Sequence, residues 1–557
     1  MRTIATRAHQ AFPVLDQAQI VMARAFAAGE EHRFAPAEVI YRAGDRSVTA
    51  WLVLEGEIEL SRHDGLGRDA PISTLASGHF TGEVGQLSGR PALASAQAGP
   101  DGCVALPFDA AHLRALVIGS AEIGEIVMRA LILRRVALIE DGGSGTILIG
   151  IPGTAEMLLL QGFLRRSGFP HLVLDSAADD EGKALVQRLG VSASELPLAV
   201  CPDGTIRRRP TVTELASCLG LVPDIAPDAE YDVAIVGAGP AGLAASVYAA
   251  SEGLSVLVLD SDSFGGQAGT SARIENYFGF PTGISGLALT ARGFSQAQKF
   301  GATIAIPMAV ERLDCDRSFE RMVHVLTLVN RIQVRARTVV IASGARYRRP
   351  DVDALEDFEG NGVSYWASPI EAQACAGGEV ALVGGGNSAG QAVVFLAPSV
   401  KRLHLVARRD LTETMSAYLV ERIASLPNVE YHVGCELAAL HREPGGTISA
   451  TFRNREDRTC VERGLRQVFL FIGADPNTDW LGGCVDVDEQ GFVATGKQFR
   501  SAIDIGRAPF ELETSQPGVF AIGDVRAGST KRVGSAVGEG AAVVAQIHQA
   551  LAQERTS

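Results

Sequence analysis

The sequence predicts an α/β protein with two doubly wound parallel sheets, preceded by a β-rich unit and a small α/β unit. Three observations point there. From Tyr231 to the C-terminus, apolar strand-like runs alternate with helical stretches, the pattern of a sheet wound with crossover helices. Two of those runs pass straight into glycine turns, Gly237-Ala238-Gly239-Pro240-Ala241-Gly242 and Gly384-Gly385-Gly386-Asn387-Ser388-Ala389. The chain has 557 residues, and because single cores stop growing near roughly 250–300 residues it should divide into three to four domains.

Composition narrows the class further. Hydrophobic residues make up 46% and charged residues 20%, which suits a packed globular protein. A formal charge of −14 argues against binding nucleic acid through its phosphates. It does not argue against phosphate cofactors, which are held locally by helix N-termini. No signal peptide is evident, and no run of about 18 uncharged apolar residues appears, so no membrane span is expected. The best candidate, Ile123–Leu138, is interrupted by Glu125, Arg129, Arg134 and Arg135. A cytoplasmic location is the expectation. The eight cysteines, Cys103, Cys201, Cys218, Cys315, Cys375, Cys435, Cys460 and Cys484, contain no Cys-x-x-Cys pair and no zinc-ligand spacing. In a reducing compartment most of them read as small buried hydrophobes.

Along the chain, Trp51–Leu60 reads as strand, glycine turn and strand, and Ala121–Leu138 as a helix. Residues 145–221 change character: strands are expected at Thr146–Ile151, His171–Asp175 and Pro197–Cys201, with a helix at Ala155–Ser167. A Pro/Asp-rich linker, 222–229, follows.

The first glycine turn has the parts a dinucleotide needs. Tyr231–Val236 is an apolar strand, Leu243–Glu252 a helix, and Ser255–Asp260 a second strand ending in an acid. Gly237 allows the tight turn, Gly239 lets backbone approach a pyrophosphate, and Gly242 lets the helix pack on the strand. Pro240 and Ala241, within the turn, are counted with the cofactor-binding residues, the helix N-terminus faces the phosphates, and Asp260 is placed to accept from a ribose. Downstream lie Gly265-Gly266-Gln267, Ile274-Glu275-Asn276-Tyr277, a strand ending at Ser343-Gly344, and Val519-Phe520-Ala521-Ile522-Gly523-Asp524, with Gly538-Glu539-Gly540 expected at a helix start.

In this order the motifs of residues 230–557 resemble the low-molecular-weight thioredoxin reductases within the pyridine nucleotide-disulfide oxidoreductases. The resemblance implies two Rossmann-like units: an FAD-binding domain over 230–360 and 466–557, and an NAD(P)H-binding domain over 361–465. It implies that Asp524, after Gly523, bonds the ribityl chain and that Gly266, Gln267, Asn276 and Gly344 lie at the flavin. A homodimer is implied as well.

In the second turn the glycine roles fall to Gly384 and Gly386. Asn387 and Ser388 are counted with the cofactor-binding residues of this turn, and Ala389 is the small packing residue. The next strand, Leu403–Val406, runs into Ala407-Arg408-Arg409 instead of an acid. Adjacent arginines invite a 2′-phosphate, so NADPH is favoured over NADH, although Glu413 stands where the resembled family usually has another arginine. A solvated Arg-Arg at a strand end is the plainer reading of Arg408 and Arg409.

The departure that matters most concerns the dithiol. Thioredoxin reductases carry Cys-x-x-Cys and an acid before this second turn; here Trp366 and Pro369 take the cysteine positions and Ile370 the acid's. Cys375, in Glu371-Ala372-Gln373-Ala374-Cys375, is the candidate for a single redox thiol, with core packing as the alternative. A subgroup of these reductases, also fused to a sensor-like N-terminal domain, has a similar Glu-Ala-x-x-Cys spacing, and the whole chain resembles it.

Residues 1–140 resemble a cyclic nucleotide-binding β-roll, with Gly82 and Glu83 matching the Gly-Glu at its ligand. Ala92 stands where that family places an arginine against the cyclic phosphate, with Arg90 nearby. A ligand-free structural β-roll is the alternative. Residues 145–221 resemble a thioredoxin or glutaredoxin fold with Leu196-Pro197 at the cis-proline position. Ile151-Pro152-Gly153-Thr154-Ala155 stands where its catalytic cysteines would be, and Cys201 and Cys218 are not placed to replace them.

Three functions follow as alternatives. The first is an NAD(P)H oxidoreductase passing electrons through FAD to an unidentified acceptor, a small molecule or a redox protein. The second is a thioredoxin reductase using another thiol, Cys375. The third is a redox sensor responsive to a cyclic nucleotide or to NADPH.

Overall fold

In the computed structural model the described residues are 2–63, 69–141, 146–202, 204–223, 225–226, 229–271, 273–314, 323–359, 362–367, 369–443, 447–498 and 507–554. Cys315, Ser368, part of the 222–229 linker and the side chains of Pro369 and Ile370 lie outside that description.

The N-terminal unit is an open antiparallel sheet of five strands closed by helices, the longest Ala121–Asp141. The expected strand-turn-strand at Trp51–Leu60 is instead one strand, Ala50–His63, pairing with Ser95–Phe108 through a register shift at Gly56. Gly56 has φ +72°, and a Cβ there would lie 2.2 Å from the Gly102 carbonyl oxygen. A positive-φ glycine in an apolar run reads like a turn, but here it makes a bulge.

The second unit has Ile147–Gly150 parallel to Leu172–Asp175 and antiparallel to Leu198–Val200, with Leu196–Pro197 cis. Here one expectation is corrected. Cys201, at the end of the strand, and Cys218, in the last helix, are not separate packing residues: they form a disulfide with a Cα–Cα distance of 6.0 Å. The helix Val212–Cys218 turns back along the strand and brings the two together.

The first wound sheet is built on Glu230–Val236, parallel to Val256–Leu259 on one side and to Gln333–Ile341 on the other. Val519–Ala521 adds parallel to Gln333–Ile341 near the end of the chain. Val256–Leu259 is buried throughout, as both-face coverage by helices demands. The second sheet is all parallel, in the order Val363–Ser364, Gln467–Leu470, Glu379–Val383, Arg402–Ala407, Val429–Val433. Gln467–Leu470 pairs in this sheet, so the chain re-enters the first unit only after it, later than the expected 466 boundary. The two sheets communicate through a two-stranded ribbon, Ala345–Tyr347 against Ala474–Pro476. No helix among the described residues is long and apolar enough to cross a membrane.

His324 sits at the start of the strand His324–Leu328, 5% exposed, with Nε2 lacking a partner. Burial pushes its imidazole down to about 4, the bond to the Pro517 backbone opposing. Below about 6.5 the unfolded chain takes up a proton that the folded chain refuses until about 4, so stability falls as pH drops through that window. The expected loss is about 3 kcal/mol, measured by urea unfolding between pH 7 and pH 4. In His324→Gln that share of the pH dependence should vanish.

Candidate functional site

The first turn leaves no space for side chains where backbone must close. Gly237 has φ +114°, and a Cβ on it would fall 2.1 Å from the Ala342 carbonyl oxygen. A Cβ on Gly242 would fall 1.9 Å from the Gly237 carbonyl oxygen. Gly239 caps the helix Pro240–Ser251, which begins at Pro240 and not at Leu243 as expected, and Ala241 is buried beside it. Gly266 comes so close that its Cβ would be 3.2 Å from the Gly239 Cα, and the Gly265 N–H donates to the Ala238 carbonyl at 2.8 Å. Two glycine turns therefore face each other across a helix N-terminus, a setting for a pyrophosphate.

Asp260 ends the neighbouring strand, and its Oδ2 accepts from the Ala238 N–H at 2.8 Å. The acid thus braces the turn. Burial raises its carboxyl above the ordinary range, and the backbone donors oppose that. Gly344 lies just beyond the strand Gln333–Ile341, with φ +65°. The Gln267 amide donates to the Ala345 carbonyl in the ribbon, and Asn276 is exposed in its loop.

Gly523 and Asp524 follow Val519–Ala521. The Asp524 carboxylate has no hydrogen-bond partner among the described residues, and burial raises its carboxyl, with Lys531 opposing. Gly538-Glu539-Gly540 does not start a helix: it lies inside Val533–Glu554. Glu539 accepts the Gly523 N–H at 2.6 Å and pairs with Arg526 at 2.5 Å. A Cβ on Gly540 would fall 2.5 Å from the Ala241 carbonyl oxygen, so this helix packs directly on the one behind the first turn. The acid–amide spacing was present in the sequence, but only the fold shows what Glu539 holds.

The second turn repeats the design. Gly384 has φ +153° and a Cβ there would meet the Phe471 carbonyl oxygen at 2.5 Å, while Gly386 caps Asn387–Leu396 with open space around it. Asn387 accepts the Ser416 N–H at 2.7 Å, Ser388 is exposed, and Ala389 is buried in the core. The closest packing falls one residue later than expected, at Gly390, whose Cβ would be 2.7 Å from the Met415 sulfur. Thr414 donates to the Gly385 carbonyl at 2.8 Å. Arg408 and Arg409 are exposed beyond Arg402–Ala407, and no described residue pairs with either.

At the position before this turn, the Trp366 indole N–H donates to Glu371 at 2.9 Å. Cys375 is 0% exposed within the core of the second unit, its thiol toward the Ala372 carbonyl at 3.6 Å, and burial raises its pKa.

In the N-terminal unit Glu83 caps a short 3₁₀ turn, Val84–Ser88, and pairs through Oε2 with Arg135 at 3.0 Å. Gly82, with φ +108°, precedes it. Arg90 does not stand in for the missing arginine: its guanidinium lies over the Phe294 ring of the first wound unit at 4.8 Å.

Removing Glu539 should leave the Gly523 amide and Arg526 unpartnered inside the site. Glu539→Ala should cost about 3 kcal/mol in urea unfolding, and Glu539→Gln, which still accepts the amide, clearly less.

The comparisons agree with this geometry. Residues 231–540 match the pyridine nucleotide-disulphide oxidoreductase family, and residues 31–119 match the cyclic nucleotide-binding domain. Thioredoxin reductase of Bacillus subtilis (strain 168) is 30% identical over 324 residues, 58% of this chain and 95% of that protein. Thioredoxin reductase of Treponema pallidum (strain Nichols) is 31% identical over 314 residues, 56% of this chain and 95% of that protein. The crystal structure of T. acidophilum thioredoxin reductase overlays with a TM-score of 0.51 at 26% identity, covering 58% of this chain and 99% of that one. The chain belongs to the pyridine nucleotide-disulphide oxidoreductase family, as a flavoprotein oxidoreductase of thioredoxin reductase type that also carries a cyclic nucleotide-binding domain.

Proposed function

We propose that the chain takes electrons from NADPH and delivers them through FAD to an external acceptor, without a dithiol relay of its own. The observation that carries this reading is the position of the missing dithiol, where Trp366 is bonded to Glu371 and can form no thiolate. Cys375 supports it from the other side: it is sealed in apolar packing, and burial raises its thiol pKa, the reverse of what an attacking thiolate needs.

The cradle residues fit FAD. Gly237, Gly239 and Gly242 would admit its pyrophosphate at the N-terminus of Pro240–Ser251, and Asp524 offers a carboxylate free of described partners. Bound FAD supplies the two-electron carrier. Gly384 and Gly386 would receive the nicotinamide cofactor's pyrophosphate, and the exposed guanidinium groups of Arg408 and Arg409 favour a 2′-phosphate.

A second reading, that the β-roll is an effector module, is favoured by how the units meet. The 3₁₀ turn Val84–Ser88 packs on the helix Gly286–Lys299: Gln298 donates to the Ser88 hydroxyl at 2.7 Å, and Arg90 lies over Phe294. Phe294 stacks on Phe264 at 4.5 Å, next to the Gly265-Gly266 turn that faces Gly239. A shift of the 3₁₀ turn is thereby transmitted to the flavin-side turn by close packing.

Anaerobic stopped-flow reduction of the yellow protein by NADPH and by NADH, followed by an acceptor screen, tests the first reading. Arg408→Ala/Arg409→Ala should raise the KM for NADPH about tenfold and leave that for NADH within about twofold. Cys375→Ala should leave acceptor reduction intact; loss of disulfide reduction in that variant would favour a thiol relay through Cys375. For the effector reading, Gln298→Ala should abolish any response of the flavin-reduction rate to cyclic AMP.

A further inference from the structure

One face of the second wound sheet is covered by a three-stranded antiparallel sheet, Cys435–Arg442, Ile448–Asn454 and Cys460–Leu465. Most of that contact is apolar, with Ala381, Val383 and Val406 packed in one core with Leu437, Ile448 and Phe452. The same face carries a polar exception. Arg402–Ala407 and the edge strand Val429–Val433 run parallel, with His404 opposite Glu430 and Val406 opposite His432. Strand alternation therefore puts His404, Glu430 and His432 on one side. His404 is buried, His432 is nearly so, and Glu430 reaches solvent.

His404 Nδ1 lies 3.1 Å from His432 Nε2, and the Glu430 carboxylate oxygens lie 3.7 Å from the first and 3.5 Å from the second. One donor atom from each residue falls within 4.8 Å of the others. Four-coordinate zinc bonds imidazole nitrogen at about 2.0–2.1 Å, which at tetrahedral angles puts two ligand atoms about 3.3 Å apart. Two ring nitrogens at 3.1 Å cannot both carry a proton, so at least one lone pair lies between them.

His404 is oriented for this role. Its other nitrogen, Nε2, lies 3.5 Å from Glu379, and a proton held there leaves the Nδ1 lone pair facing His432 and Glu430. A carboxylate behind the imidazole is a common outer partner of a metal-bound histidine. Lys401 donates to Glu379 at 3.1 Å. Glu430 accepts from Arg402 at 3.1 Å and from Arg463 at 3.3 Å. A carboxylate has about four lone-pair sites, so these bonds orient it and leave room for an ion. Two carboxylates thus stand among three basic groups. Charge alone does not draw a hard cation such as Mg²⁺ there, and selection falls to imidazole nitrogen, which suits zinc.

We infer that His404, His432 and Glu430 form a binding site for Zn²⁺, with water completing the tetrahedron and Glu379 as a positioning residue. The ion ties the edge strand to the strand that runs into Arg408 and Arg409. This site is independent of the electron path proposed above.

The test is isothermal titration of the full-length flavoprotein, stripped with EDTA, with ZnCl₂ and with MgCl₂. We expect one Zn²⁺ per chain, bound at least about 1,000-fold more tightly than Mg²⁺. His404→Ala and His432→Ala should each abolish that binding, and Glu379→Gln should weaken it about tenfold. Zinc should also raise the midpoint of thermal unfolding of the unaltered chain and leave that of His432→Ala unmoved. Should the buried His404→Ala fail to fold, His432→Ala on the edge strand decides, its bound flavin reporting that the fold survives. The inference is overturned if Zn²⁺ binds no more tightly than Mg²⁺. It is equally overturned if His432→Ala leaves zinc binding unchanged, which would put the ion on another group such as the exposed Cys460.

Discussion

Backbone at Gly237 and Gly384 passes so close to the carbonyls of Ala342 and Phe471 that not even a methyl group fits between them. This constraint organises both wound units. Each close approach seats the turn against the end of a neighbouring strand, which fixes where the following helix starts and where its free N–H groups point. The acids and amides around the turns, Asp260 on Ala238 and Asn387 on Ser416, then hold a shape that backbone sterics have already chosen.

That local character explains what the sequence made legible. Strand, glycine turn, helix and second strand are contiguous, so their order and spacing can be read directly, and the structure differs there mainly in where the first helix begins. The N-terminal units were legible as folds for a similar reason, with short alternating strands in one and strands around a cis-proline in the other. Ala92 was equally readable as a missing charge.

What was not legible depends on residues far apart in the chain. Cys201 and Cys218 are 17 positions apart on a strand and a helix, and only the return of that helix joins them. Glu539 looked like part of a helix start, yet it serves the Gly523 amide from within a helix. The motif spacing points to Ala389 as the packing residue, yet Gly390 makes the closest approach, to the Met415 sulfur, which spacing cannot foresee. Gly56 read as a turn because periodicity does not distinguish a bulge from a reversal. Glu83, Gln86 and Arg134 belong to the same class: they line one pocket only because the long helix folds over the sheet.

The ribbon between the wound units carries a mechanical consequence. Three residue pairs, Ala345 with Pro476, Arg346 with Asp475 and Tyr347 with Ala474, form a strap far narrower than either sheet. Twisting such a strap disturbs few hydrogen bonds, whereas bending either sheet would disturb many. The Arg422–Glu275 ion pair, at 3.1 Å and partly in water, spans the gap and works as a latch worth about 1 kcal/mol or less. Ionic strength alone should loosen that latch, letting one wound unit pivot on the other as a rigid body.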